Sequence, residues 1–373
     1  MSATLIQRGL EGVYVDETSI SDVDGENGVL IYRDYPIEEV VKMSFVEVVH
    51  LVMCGKIPTR AEVSDVSQWL AANSDLSENE ISILKNIAPG THPMKVLQGI
   101  VPLLTLEGNG PSPAKFTEEA RRGLVLAAKV PAVVANWYRI QTQQPILPSR
   151  TGLSFHENFL YRFHGRLPSP EQVKILYVTQ VLQMEHGFNA STFAARVTAS
   201  TLAPIECAVA SAIGTLYGKL HGGADQAALE MGVAVGHPDH AEAFVRQTLQ
   251  NKQKIMGMGH RIYRVVDPRA KILKPMARAL CLGTPFETLY LTLEKIEEVM
   301  EHEMAQKGKR IKANVEFYKG PVFYALGFPP EYFTALFAMS RVFGYVAHVI
   351  ESRHENRLIR PNAVYVPGGG RAE

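Results

Sequence analysis

The stretch YGKLHGGADQ, residues 217–226, sets His221 against two glycines, with apolar helical sequence on either side. A titratable ring beside bare backbone has two readings. It is a helix-capping turn, since glycine serves wherever φ is positive or backbones approach closely, or it offers an imidazole to a ligand. A second histidine stands in IMGMGHRIYR, residues 255–264, where Gly257 and Gly259 bracket Met258 and His260 follows. A dinucleotide fingerprint GxGxxG needs a glycine where Ile262 stands, and a strand before it, so that reading is excluded. A glycine loop whose N–H groups face a ligand remains, with Arg261 and Arg264 within reach of phosphates.

Further ionisable residues stand in unexpected places. In VVDPRAKIL, Asp267 is placed to cap a helix and Pro268 to begin it. Arg269 then falls in the first turn, where the helix dipole disfavours a cation by about 0.3 kcal/mol. Either an anion occupies that helix end or the side chain is solvated. Arg341 is the only formally charged residue in YFTALFAMSRVFGYVAHVI, residues 332–350. A guanidinium there needs an internal acid or a ligand carboxylate, because an unpaired buried charge is costly. His186 lies four residues after Leu182 and eight after Val178. It therefore continues an apolar helix face and is either a satisfied core residue or, at the helix end by Gly187, a group in a cleft. Glu316, in KANVEFYKGPV, sits between a basic run and a Gly-Pro break, as a surface carboxylate or a base. HPDH at 237–240 reads as a solvated turn. Zinc-protease, nucleophile-elbow, P-loop and Cys/His zinc patterns are all missing from the sequence, and no metal is expected.

These residues need a frame. YVDETSI and VLIYRDY read as strands around the turn-rich DVDGENG, a small N-terminal β-hairpin within residues 13–35. Helical spacing dominates afterwards, in IEEVVKMSFVEVVHLVMCG, RRGLVLAAKVPAVVANWYRIQ and EQVKILYVTQVLQMEHGF. The reading is an all-α protein with short Pro- and Gly-containing loops. Its 373 residues fit two domains. Basic clusters at 250–275 and 307–320, followed by dense apolar sequence, mark a smaller domain inserted at 222–320. Residues 1–221 and 321–373 form the large helical domain.

Thirty-eight basic residues balance thirty-eight acidic ones, which argues against a nucleic-acid partner. The three cysteines are scattered and odd in number, as in a reduced, cytoplasmic protein. The first residues lack the apolar core of a signal peptide. No apolar run reaches about 18 residues, so no membrane span is expected.

Together the motifs resemble the citrate synthase family. The likeness runs in order through RGLEGVYVDETSISDVDGENGVLIYRDY, THPM, EHGFNASTFAARVTAST, LHGGA, MGMGHRIYRVVDPRA, ANVEFY and ENRLIRPNAVY. It implies a citrate synthase-like two-domain helical homodimer whose domains close over the substrates. It implies an acyltransferase of the tricarboxylic acid cycle that condenses acetyl-CoA, or another short acyl-CoA, with oxaloacetate and hydrolyses the product to citrate and CoA. The alternatives are a 2-methylcitrate synthase using propionyl-CoA and a low-activity CoA- or dicarboxylate-binding paralogue. By resemblance, His221 donates to the thioester oxygen, His260 polarises the oxaloacetate carbonyl and Glu316 is the catalytic base. His186, Arg269 and Arg341 hold oxaloacetate, as does Arg360, reaching into the partner's site. The loop of Ile255, Met256, Gly257, Met258 and Gly259 takes the adenine, and Arg264 a phosphate. Acyl-CoA is a substrate, and no cofactor is implied. A helix beginning near 224 would keep His221 neutral, and its glycines would admit the thioester. The chain departs from the family pattern at Asp34 for Gly, Lys219 for Pro, Asp225 for Asn, Glu316 for Asp and Lys319 for a small residue. Lys319, three residues beyond Glu316, could pair with it. These departures bear on rate and acyl-donor choice rather than on fold.

Overall fold

The computed structural model describes residues 6–260 and 262–365. Among them are sixteen α-helices and one three-stranded antiparallel sheet, in the order β1 (Ser21–Asp24), β2 (Val29–Tyr32) and β3 (Tyr35–Pro36). The all-α reading holds, with a shift in the first strand. Residues 14–20 form no strand, and β1 lies in the stretch read as turn. Val29 pairs with Asp24 and Tyr32 with Ser21. A loop of only Gly25 to Gly28 joins the two strands, so the partner of β2 must be the residues immediately before it. Asp24 fixes that loop by accepting N–H bonds from Glu26 and Asn27, both at 3.0 Å.

The run 37–55 is two helices, Ile37–Val40 and Phe45–Cys54. Ser44 and Glu47 form a reciprocal capping box, which starts the second helix afresh. The 24-residue helix Glu118–Gln141 spans the apolar run anticipated there. Helix Phe333–His354 and the turn before it are long and apolar enough, by length and composition, to cross a bilayer, and 94% of that window is buried inside the protein. It is a core helix.

The chain packs as two units. One comprises Met1–Ser67, Ser169–Gly187 and Ala224–Phe333. The other comprises Gln68–Pro168, Phe188–Gly223 and Thr334–Glu373.

In the first unit the small sheet holds functional backbone. The β1–β2 loop lies against residues 262–266, and Gly25 C=O accepts the Arg264 N–H at 2.8 Å. A Cβ on Gly25 would fall 2.3 Å from the Ile262 carbonyl oxygen. Gly25→Ala should therefore push residues 262–264 off their seat and lower kcat/KM, by about 10²-fold for a displacement near 1 Å. Steady-state kinetics checks this, and unchanged kinetics would mean the loop needs no such support.

Candidate active site

Two segments of the first unit run side by side. The Gly259 N–H donates to Lys312 C=O at 2.8 Å, and the Asn314 N–H to Gly257 C=O at 2.9 Å. The Met258 N–H donates to Ile255 C=O at 3.3 Å. Met258 and Gly259 thus engage their N–H groups within the protein. Gly257 and Gly259 have φ of +77° and +79°, a left-handed geometry that glycine adopts without strain. One segment ends at His260. The other delivers Asn314, the N-cap of helix Val315–Ala325, with Glu316 in its first turn.

His260 Nδ1 accepts N–H bonds from Ile262 at 3.1 Å and Tyr263 at 3.2 Å. Its ring proton is therefore on Nε2, which is the donor. Burial holds its pKa below the ordinary histidine value and Arg269 adds to that, against the opposing pull of Glu316 and Asp267. The ring is a neutral donor at neutral pH.

His186 stands 5.7 Å from His260 between ring centroids. It does not continue its helix. Helix Pro170–Met184 stops before it, and Glu185 is extended, with φ −143° and ψ 148°. Tyr32 of β2 accounts for the stop. Its hydroxyl lies 2.9 Å from the carbonyls of Val181 and Glu185, which share its one proton, and accepts the Glu185 N–H at 3.0 Å. Ser21 of β1 bonds the Glu185 carboxylate at 3.0 Å and accepts the Gly187 N–H at 3.0 Å. His186 is thus held between residues tied to the sheet, and its Nε2 lies 3.0 Å from the Tyr263 hydroxyl.

Asp267 caps helix Pro268–Cys281, as expected from sequence. Arg269 is buried rather than solvated. Its Nε and Nη2 bind the two Asp267 oxygens at 3.0 and 2.8 Å, a bidentate fork. Asp267 also accepts the Val315 N–H at 3.3 Å, tying this pair to the helix of Glu316.

Burial pushes the Glu316 carboxyl up, but Lys319, Arg269 and His260 outweigh it and hold the group below the ordinary carboxylate range. Glu316 is ionised. Lys319 does more than neighbour it: its Nζ lies 3.2 Å from Asp225 Oδ2. Two departures noted in the sequence, Asp225 and Lys319, are thus partners.

The second unit holds His221, Arg341 and Arg360. His221 Nε2 lies 2.7 Å from Ser191 Oγ and 3.4 Å from the Ser191 N–H, which donates to it. Ser191 lies in the first turn of helix Ala190–Ser200, so the N-terminus of that helix reaches this ring. Tyr345 donates to Ser191 Oγ at 2.7 Å. Gly222 is required by the protein's own packing. A Cβ there would lie 2.4 Å from the Leu216 carbonyl oxygen and 2.8 Å from Thr334 Cγ2. The glycine after His221 thus also serves the fold. The Phe337 ring lies near both His221 and Arg341, 6.4 Å from the imidazole centroid and 4.8 Å from the guanidinium carbon. Arg341 is fully buried. Arg360 is exposed on the irregular 355–365 segment and donates to Asn362 at 3.4 Å.

Beside His260, a cavity of about 320 Å³ is lined by Arg264, Arg310 and Lys312. The Arg264 guanidinium is largely exposed, 3.8 Å from Glu26. Arg261 lies outside the described residues. The structure therefore brings His186, His260, Arg269, Glu316 and Arg264 into one unit, and His221 with Arg341 into the other.

Sequence reasoning missed Tyr263, Ser191 and Tyr345 as partners of the histidines, and the Asp267–Arg269 fork. Only the fork had a local signal, since an acid two residues before a buried arginine can close on it.

A family model described as "Citrate synthase, C-terminal domain" matches residues 9–362. A citrate synthase of Deinococcus radiodurans is 38% identical over 363 residues, covering 96% of this chain and 95% of that protein. A 2-methylcitrate synthase of Mycobacterium tuberculosis is 37% identical over 361 residues, covering 96% and 90%. The crystal structure of citrate synthase from Thermotoga maritima superposes with a TM-score of 0.87 at 35% identity, over 99% of this chain and 98% of that one. A ternary complex of carboxymethyl coenzyme A and oxaloacetate with the citrate synthase of Thermoplasma acidophilum gives 0.90 at 29% identity, over the same shares.

Proposed function

The chain belongs to the citrate synthase family, and from that premise we propose that it joins a short acyl-CoA to oxaloacetate and hydrolyses the product to citrate and CoA. The observation that carries this reading is the group in the first unit: neutral donor His260 beside His186, buried Arg269 and ionised Glu316.

The chemistry follows from those states. A thioester methyl is a weak acid, so its proton leaves only if charge on the carbonyl oxygen is stabilised as it forms. Glu316 takes the proton. His221 donates to the thioester oxygen. The enolate carbon attacks the oxaloacetate carbonyl, whose oxygen takes the His260 Nε2 proton and becomes a hydroxyl. A carbon–carbon bond forms, giving citryl-CoA. Water then replaces the thiolate at the acyl carbon, the carbon–sulfur bond breaks, and citrate and CoA leave. His186, Arg269, Arg341 and Arg360 hold the carboxylates of oxaloacetate. The loop 255–259 takes the adenine, and the basic cavity lined by Arg264 suits the phosphates of CoA.

In this proposal segment 222–320 is the smaller body, carried on a frame of 1–221 and 321–373. The reaction needs no cofactor, because the protein's own groups supply the acid and base; activity lost on EDTA treatment would contradict that. The three cysteines, odd in number and scattered along the chain, favour a cytoplasmic location.

A second reading, 2-methylcitrate synthase, is favoured by the near-equal identity to the mycobacterial enzyme. The two acyl donors differ by one methylene, worth about 1–3 kcal/mol of discrimination. CoA release with oxaloacetate and acetyl-, propionyl- or butyryl-CoA decides between them. Equally negligible rates with all three would leave a binding paralogue.

We also propose a homodimer in which the exposed Arg360 completes the partner's site. Arg360→Ala should raise the oxaloacetate KM while leaving the dimer intact. Hybrids of Arg360→Ala and His221→Ala subunits should regain one wild-type site. Hybrids that keep the raised oxaloacetate KM, once heterodimers are demonstrated, would refute the cross-subunit role.

A further inference from the structure

One turn beyond Glu316, the same helix carries a second ionisable group. Lys319 is fully buried, as is Asp225 on helix Ala224–Val235. Lys319 Nζ lies 3.2 Å from Asp225 Oδ2 and donates to Gln183 Oε1 at 2.9 Å, on helix Pro170–Met184. Packing does not call for this. Well-packed neutral residues in place of a buried ion pair are often as stable or more so. A fixed ammonium in a dry site does have one strong effect, on the ionisation of an acid close by.

We propose that Lys319 is a positioning residue for the base: anchored by Asp225 and Gln183, its charge keeps Glu316 ionised in its half-buried position, and Asp225 sets how much of that charge Glu316 feels. The proposal rests on Glu316 being the base.

The groups around Glu316 come from several elements. Its own helix gives Lys319. Helix Pro268–Cys281 gives Arg269. The 255–267 loop gives His260, Tyr263 and Asp267, and helix Ala224–Val235 gives Asp225. Helix Pro170–Met184 brings the neutral Gln183. Helix Glu287–Gln306 brings Glu297, which bonds Tyr318 and Lys274. Burial alone would push the Glu316 carboxyl up. Of the influences that bring it down, Lys319 is the largest, ahead of Arg269 and His260. Asp225, itself pushed up by burial against the pull of Lys319, is pushed further by Glu316.

The test is the acidic limb of kcat/KM for the acyl-CoA, measured at saturating oxaloacetate, since a base must be ionised to act. Lys319→Met removes the cation, so the limb should move up by about one pH unit. Asp225→Asn removes the opposing anion and leaves the ammonium, so the limb should move down. Both changes break the same ion pair. A role in stability alone would move the two limbs together or not at all, and either result overturns the proposal. Should Lys319→Met fail to fold, the electroneutral double variant Lys319→Met/Asp225→Asn carries the test. A limb above the wild-type one supports the proposal; a limb at or below it overturns it. Glu316→Gln separates the two readings. If it still condenses, Glu316 is not the base. If it is inactive while Lys319→Met leaves the limb in place, only the role of Lys319 fails.

Discussion

Glu316→Gln is expected to stop condensation, lowering kcat by about 10²–10⁴-fold or more, while acyl-CoA binding measured by calorimetry survives. The amide keeps the shape of the side chain and loses the ability to accept the α-proton. Glu316→Asp tests reach. The family pattern has Asp at this position, so the shorter acid invites the expectation of normal or faster turnover. The structure points the other way. The first turn of helix Val315–Ala325 is pinned on both sides, by the Asn314 N–H on Gly257 and the Val315 N–H on Asp267. That backbone cannot advance to make up the missing methylene. A carboxylate withdrawn by roughly a bond length should cost about 10²-fold in kcat. A faster Glu316→Asp enzyme would mean the wild-type base is badly placed. Near-wild-type kcat in Glu316→Gln at saturating substrate would remove Glu316 from the mechanism.

The second large effect is expected at Asp267. Its carboxylate caps helix Pro268–Cys281, holds Arg269 bidentate and receives the Val315 N–H. Asp267→Ala loses a cap worth about 1 kcal/mol. It also strands a buried guanidinium, which costs about 3–5 kcal/mol when one partner of a buried pair is removed. Urea unfolding should register a loss of that order. The oxaloacetate KM should rise more than tenfold, since Arg269 loses its orientation as well as its partner. Asp267→Asn keeps a cap and an acceptor but no charge, and should fall between. An Asp267→Ala protein of unchanged stability would show that Arg269 does not depend on this fork.

The features legible in the sequence were those written in local chemistry. Ser-x-x-Glu at 44–47, Asp267-Pro268 and the apolar spacing of 118–141 each act within a turn or two, so helix starts could be placed. The family motifs then pointed to candidate residues, of which His186, His260, Arg269 and Glu316 fall in one unit and His221 and Arg341 in the other. What sequence could not show is contact across long separations. Tyr263 meets His186 from 77 residues away, and Tyr345 reaches Ser191 from 154. Sequence could suggest Glu316 as a partner for Lys319, three residues away, but not Asp225 and Gln183, which come to it from other helices. The first strand was misplaced because strand propensity in 14–20 carries no information about which residues the loop leaves opposite β2.

The small sheet has a consequence for precision. Its turn carries the backbone after His260, through Gly25 and Arg264, and its strands carry the backbone around His186, through Ser21 and Tyr32. Both imidazoles are therefore located from one common datum. When neighbouring helices breathe, errors in their placement displace the two rings together instead of accumulating in the gap between them. The spacing of the rings inherits the tolerance of a four-residue loop and a few hydrogen bonds, not that of the helical frame.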